Sequence, residues 1–250
     1  LKKYKMKRIL FLVLLLANTT LYSQNTDNEK GLISLGTFFS PNYSYRHLEY
    51  DNNMINIIEA RELNEKPVFS FNAGLQIFFN VKTFLNIESG AEFYQQRNGF
   101  LNIPITDLDD YDVVYGYVDS YYMLNYISLP VKFNFKIFEK NKFFAGTSVG
   151  FSTNFFIYAR IVNKTKYNDF PHPIIERNNV DAPNVYKTNF DFRTSIYMVY
   201  QLNDAWDLKF EPIFRYSLKP IVDAPIKQYN YTLGGQISMI YNFKKSKNEN

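Results

Sequence analysis

The chain has 250 residues, 28 Lys and Arg against 24 Asp and Glu, and no cysteine, so a disulfide framework, a lipid-anchor cysteine and a Cys-bearing metal site are all excluded. Aromatic residues make up 18% of it, as 24 Phe, 21 Tyr and one Trp, the composition of a strand-rich protein. The formal charge of +4 is concentrated at the start. The opening "LKKYKMKRILFLVLLLANTTLYSQ" sets Lys2, Lys3, Lys5, Lys7 and Arg8 before an apolar run from Ile9 to Ala17, the pattern of a secretory signal peptide cleaved near Ser23. That run is too short to span a bilayer as a helix. Removing residues 1–23 leaves 23 cations against 24 anions, so no basic stripe remains for a nucleic-acid partner. The domain organisation expected is therefore a signal peptide over 1–23, a barrel over 24–243 and a polar tail over 244–250.

Runs of period two predict eight strands. They cover Leu32 to Tyr45, Val68 to Phe79, Phe84 to Gln96, Tyr121 to Ile137, Phe143 to Tyr158, Thr188 to Gln201, Trp206 to Leu218 and Tyr231 to Phe243. Each is long enough for the 9–11 residues that a tilted strand needs to cross a membrane. The connections alternate: short ones at 80–83, 139–142 and 203–205, long ones at 46–67, 97–120, 159–187 and 219–230. Short periplasmic turns with long extracellular loops are the arrangement of outer-membrane barrels.

Alternation alone does not say which face points inward. The polar face carries Glu88, Glu92, Lys132, Arg193, Glu211 and Arg215 in mid-strand, three of each sign. Placed in lipid near the midplane, each cation would cost about 2–4 kcal/mol, a sum comparable with the roughly 5–15 kcal/mol stability of a whole fold. In a narrow lumen the same groups form a neutral network, and Gly74, Gly90, Gly146, Gly150 and Gly234 on that face leave room for them. The expected fold is thus an all-β, eight-stranded antiparallel up-and-down transmembrane β-barrel. Its lumen is polar and filled, without an open pore. Aromatic pairs at strand ends, such as Phe78-Phe79, Phe143-Phe144, Phe155-Phe156 and Tyr121-Tyr122, together with Trp206, suit interfacial girdles.

One residue resists the pattern. Pro130 lies inside "YISLPVKFNFKI" on the predicted lumen face, and a closed barrel has no free edge to accommodate its missing N–H. A bulge, a water or a lumen side chain must replace the lost rung. Pro212 raises the same question from the lipid face.

The stretches "YISLPVKFNF", "FFAGTSVGFSTNF", "LKFEPIFRYSL" and "YTLGGQISMIYNF" resemble the PorT-type outer-membrane β-barrel proteins common in Bacteroidetes. The resemblance covers nearly all of the chain after the leader. It implies an outer-membrane location and, through PorT itself, a link to a protein-secretion system. The family ends at its final aromatic strand residue, whereas here seven residues follow Phe243.

Chemistry is sparse. The two histidines, His47 and His172, lie outside the predicted strands, so a barrel acylhydrolase would need Ser44 or Ser120 brought to one of them by the loops. The run "DLDDYD" supplies Asp107, Asp109, Asp110 and Asp112 but lacks the glycine and terminal glutamate of a calcium-binding EF-hand loop. With Tyr115 and Tyr117 these aspartates are the loop residues proposed for partner binding. The expectation is a non-enzymatic barrel with no metal and no cofactor. Its partners are outer-membrane lipid and an envelope or extracellular protein. The alternatives are a loop-based hydrolase and a soluble periplasmic barrel for an apolar ligand.

Overall fold

The computed structural model describes residues 30–50, 54–106 and 113–244. The signal-peptide segment, Asp107, Asp109, Asp110 and Asp112, and the tail beyond Lys244 lie outside the described residues. The elements are β1 (Lys30–Glu49), α1 (Ile55–Asn64), β2 (Glu65–Lys82), β3 (Leu85–Thr106), β4 (Val114–Lys140), β5 (Phe143–Tyr167), β6 (Ile174–Val180), β7 (Thr188–Gln201), β8 (Trp206–Ser217) and β9 (Lys227–Lys244). Among the described residues, eight of the nine strands close a ring in the order β1-β2-β3-β4-β5-β7-β8-β9, with β9 returning to β1 and every pairing antiparallel. β6 stands outside the ring, paired with the distal part of β5.

Burial is inverted relative to a water-soluble barrel. Along β8, Asp207, Lys209, Glu211, Arg215 and Ser217 are buried, while Trp206, Leu208, Phe210, Pro212 and Phe214 are exposed. The same alternation runs around the ring and leaves an apolar band of Phe, Leu, Ile, Val and Met on the outside. A polar, packed interior under an apolar exterior defines the transmembrane β-barrel. Phe78 and Phe79 divide accordingly, Phe79 outward and Phe78 buried inside, so the expected girdle pair contributes one ring to the girdle.

Three short turns meet at one end, where Lys30 also pairs with Lys244. In the β4–β5 turn, Asn141 takes a φ of 53°, a left-handed conformation that asparagine tolerates. In the β7–β8 turn, the Asn203 side-chain oxygen accepts the backbone N–H groups of Ala205 and Trp206 at 2.9 Å each. At the opposite end the structure departs from the sequence expectation. Much of 97–120 and 159–187 is strand rather than loop, since β3 continues to Thr106, β4 begins at Val114, β5 continues to Tyr167 and β6 is added. Tyr115 and Tyr117 are therefore exposed strand residues on β4, not loop residues. The chain also forms the unforeseen helix α1, whose N-cap Met54 offers no capping hydrogen bond.

Bulges explain the shortfall. Between Asn125↔Tyr158 and Tyr126↔Phe156 one extra residue enters β5, so inward residues are even-numbered through Asn154 and odd-numbered at Ala159. A period-two reading loses phase at such a step. A second bulge lies between Phe100 and Ile103 on β3, where Asn102 has a φ of 56° and donates its backbone N–H to the Asp119 carboxylate at 2.9 Å.

Pro130 needs no bulge. On the β5 side it pairs with Ser152 in an uninterrupted ladder. On the β3 side the ladder runs through Ser89↔Val131 and resumes at Glu92↔Ser128 in unchanged register, skipping the rungs opposite Leu129 and Pro130. The Ser89 hydroxyl donates to the Pro130 carbonyl at 2.9 Å. Ser89 lies between the buried Glu88 and Gly90 in the alternation and so belongs to the outward face. The carbonyl of Pro130 itself is thus served by an outer-face hydroxyl, and the register passes the proline unchanged instead of forming the bulge expected. Gly90, opposite the proline, has a φ of 157°, and a Cβ there would lie 2.1 Å from the Leu75 carbonyl oxygen.

Candidate functional site: a sealed lumen and a raised sheet

Two ion clusters fill the middle of the lumen. In the cluster nearer the short turns, Lys132 on β4 contacts Glu88 at 2.7 Å and Glu211 at 2.9 Å, and Lys209 on β8 contacts the same carboxylates at 2.9 and 2.7 Å. Neutral donors complete the shell: Gln76 and Asn134 donate to Glu88 at 2.6 and 3.0 Å, Ser148 and Gln236 donate to Glu211 at 3.1 and 3.2 Å, and Ser195 also bonds Glu211. The Lys209 ammonium also lies over the rings of Tyr197 and Phe78, at 5.0 and 5.6 Å.

Four residues further along β3 and β8, or roughly 13 Å of strand, Glu92 and Arg215 centre the second cluster. Glu92 pairs with Arg193 and with Arg215, the latter at 2.7 Å, and Arg215 pairs with Asp191 at 2.6 Å. Arg215 also donates to Ser128, Ser152 and Asn154, and its guanidinium lies 3.4 Å from the centre of the Tyr94 ring. All eight charged side chains are at most 3% exposed. Each cluster holds two cations and two anions, which is what makes such burial tolerable. Glycine supplies the room: a Cβ on Gly150 would come within 2.9 Å of the Lys132 side chain, and one on Gly146 within 2.6 Å of the Tyr197 hydroxyl.

The six residues singled out from sequence divide between the clusters, with Glu88, Lys132 and Glu211 in one and Glu92, Arg193 and Arg215 in the other. Lys209 and Asp191 were missed. Both stand on the lumen face two positions from a chosen residue, so the face alone would have found them. A third pair, Arg46 with Glu65, lies near the long-loop end within a segment expected to be loop.

The lumen is closed differently at its two ends. At the long-loop end, Tyr94, Leu124, Tyr126, Ala159, Val185 and Ile221 form an apolar cap. The 181–187 and 218–226 connections meet in it through a Val185↔Val222 bridge, a Tyr186 N–H to Ile221 carbonyl bond of 3.0 Å and an Asp223 N–H to Asn184 carbonyl bond of 2.7 Å. At the short-turn end a cavity of about 270 Å³ reaches Asn86, Asn134, Tyr197 and Lys209. It stops at the first ion cluster.

Beyond the cap, the distal parts of β3, β4 and β5 continue with β6 as a raised antiparallel sheet, from Ile103↔Val118 across Val118↔Thr165 to Thr165↔Ile174. Tyr115, Tyr117, Ile174 and Ile175 are exposed on it. Of the hydrolase candidates, His47 is exposed on β1, whereas Ser44 is buried and hydrogen-bonded to Ser70 at 2.8 Å. His172 is exposed between β5 and β6, and the Ser120 hydroxyl donates to Asn163 at 2.8 Å.

No family model and no curated protein matches the chain. Among solved structures it is similar to Neisserial surface protein A, at 8% identity and a TM-score of 0.38, with 83% of this chain and 96% of that chain covered. It is also similar to the outer membrane protein OprG from Pseudomonas aeruginosa, at 10% identity and a TM-score of 0.39, with 88% and 100% covered. The outer membrane protease OmpT from Escherichia coli gives 7% identity and a TM-score of 0.40, with 88% and 99% covered.

Proposed function

We propose that the chain works in the outer membrane as a sealed, non-enzymatic barrel that presents the β3–β6 sheet outside the cell, binding a protein partner there or supporting an envelope assembly of the PorT type. The observation that carries this reading is the combination of a doubly closed lumen with an ordered sheet raised above it. A solute path would need two neutral ion clusters and an apolar cap to part together. The raised sheet, by contrast, is available without any rearrangement, and connections that reach past the scaffold are where binding residues concentrate. Support for a binding role over hydrolysis comes from the separation of Ser44, turned inward and bonded, from His47, turned outward.

Two measurements test this. In planar bilayers the purified protein is expected to give no stable conductance, and a steady open channel would overturn the sealed barrel. Photo-crosslinkers placed at Tyr117 and Ile175 in intact envelopes are expected to capture a discrete protein that crosslinkers at Trp206, on the opposite rim, do not. Equal capture at both rims would remove the raised sheet as the binding surface.

A further inference from the structure

The outer surface differs from one wall to the other at the long-loop rim. On the wall of β1, β8 and β9 the rim is tyrosine: Tyr43, Tyr45, Tyr216, Tyr229 and Tyr231, with Tyr45 packed edge-on against Tyr231 and Tyr216 stacked on Tyr229. On the wall of β3, β4 and β5 the apolar band runs up to Phe93, Ile127 and Phe155, neighbouring residues in the ladders, with the exposed Ile157 at the β5 bulge just beyond them. Two polar rungs follow. The first is Gln95–Asn125–Tyr158, in which Gln95 donates to the Asn125 side-chain oxygen at 3.1 Å and Asn125 donates to the Tyr158 carbonyl at 3.4 Å. The second is Arg97–Met123–Arg160.

Height places these rungs. A strand tilted by about 40° climbs roughly 2.5 Å per residue along the barrel axis. Arg97, four residues past Phe93, therefore stands about 10 Å above the last phenylalanine, in the headgroup layer outside a hydrocarbon core of about 30 Å.

Neither arginine belongs to any ion pair found among the described residues. Arg160 donates through Nε to the Asn179 side-chain oxygen at 2.9 Å, and its guanidinium lies 5.3 Å from the centre of the Tyr158 ring. Among the described residues the Nε of Arg97 is shielded from solvent without a hydrogen-bond partner, as is the side-chain oxygen of Gln95 below it, a residue only 4% exposed. The carboxylate on this face, Asp119, is held by the Asn102 N–H and by the Tyr121 hydroxyl at 3.2 Å, and it faces Lys164 across the ladder.

We propose that Arg97 and Arg160 form a binding site for the phosphate headgroup of an outer-leaflet lipid. Two guanidiniums on either side of Met123 provide forked donors for phosphate oxygens. The amide rung beneath is closed on itself, with Asn125 fully buried, so the two arginines are the groups left to meet the lipid. Continuity with the apolar band selects a lipid as the bearer of the phosphate: the acyl chains lie on Phe93, Ile127 and Phe155 while the headgroup reaches the arginines. The one-sided placement makes this a defined site and not a general ring of lipid around the barrel.

This inference rests on the membrane reading above, and the test separates the two. Full-chain protein is first folded into phosphatidylcholine vesicles and its barrel checked by heat-modifiable gel mobility; failure to insert overturns the membrane reading itself. Native mass spectrometry then measures lipid retained from mixed micelles of phosphatidic acid and phosphatidylcholine. The unaltered protein is expected to retain phosphatidic acid with roughly tenfold preference. Arg97→Gln with Arg160→Gln is expected to abolish that preference, Arg97→Lys with Arg160→Lys to keep part of it, and Lys82→Gln at the other rim to leave it unchanged. The site is overturned if the folded, unaltered protein shows no preference, a result that needs no variant to fold. It is equally overturned if the double glutamine variant keeps the preference or if Lys82→Gln removes it.

Discussion

Four charges close the lumen at the level of Glu88 and four more at the level of Glu92, yet the two clusters use different cations. The first is built on ammonium groups, each touching the same two carboxylates, so Lys132 and Lys209 duplicate one another's contacts. The second is built on guanidiniums, and Arg215 alone reaches side chains on β3, β4, β5 and β7 while lying on the Tyr94 ring of the cap. A compact point charge suits a closed square of four groups. A planar fork with five donors suits a hub that ties several strands together. The first cluster is thus redundant and the second centralised.

The sharpest way to break this comparison is to remove the hub. Arg215→Met leaves Asp191 without its guanidinium and Glu92 with Arg193 only, and is expected to destabilise the barrel by about 4–5 kcal/mol, at the upper end for breaking a buried ion pair. Denaturant unfolding from phosphatidylcholine vesicles measures it. Arg215→Lys is expected to recover less than half of the loss, because an ammonium cannot reach five side chains at once. Full recovery by lysine would remove the distinction between the clusters.

Lys132→Met is expected to cost less, about 3 kcal/mol, because Lys209 still touches both Glu88 and Glu211. Adding Glu211→Gln is expected to recover part of that loss by restoring neutrality, so the double variant unfolds at higher denaturant than Lys132→Met alone. In planar bilayers neither Lys132→Met nor Arg215→Met is expected to conduct, since the other cluster and the cap stay in place. Conductance from either single variant would show that one cluster alone seals the lumen.

The cap gives a third comparison, apolar closure against ionic closure. Ile221→Ala is expected to cost about 2 kcal/mol, at the lower end for a buried isoleucine because the connections carrying it have room to settle. Its effect is expected to add to that of Lys132→Met, which lies far from it, and to fall short of adding to that of Arg215→Met, which shares the Tyr94 contact.

The lower barrel was legible because its alternation is unbroken: Thr188 to Gln201 is the same strand in sequence and structure, and Trp206 to Leu218 differs by one residue. The lumen face followed from charge, since Glu88, Lys132 and Glu211, each on the polar face of its strand, could not all face lipid. The raised sheet was not legible. Its strands carry Asn on both faces, Asn163 and Asn178 on one and Asn179 on the other, and the bulge opposite Asn125 and Tyr126 inverts the parity of β5 just where the reading would have to continue. Ile221 was illegible for another reason, since nothing local marks a loop residue that will be buried by a second loop.

Pro130 offers the smallest and most local test. In lipid a carbonyl that loses its ladder partner has no water to turn to, so the Ser89 hydroxyl is the group that satisfies it. Ser89→Ala is expected to destabilise the barrel by about 1 kcal/mol, the net worth of one such hydrogen bond. Pro130→Ala returns an N–H opposite Gly90 and allows the skipped rung to form, after which the serine has little left to do. Its removal in the Pro130→Ala background is therefore expected to cost clearly less than in the unaltered chain. Equal costs in the two backgrounds, measured by the same unfolding assay, would mean that serine and proline act independently. Such independence would leave the carbonyl of Pro130 served by some other group on the β3 side.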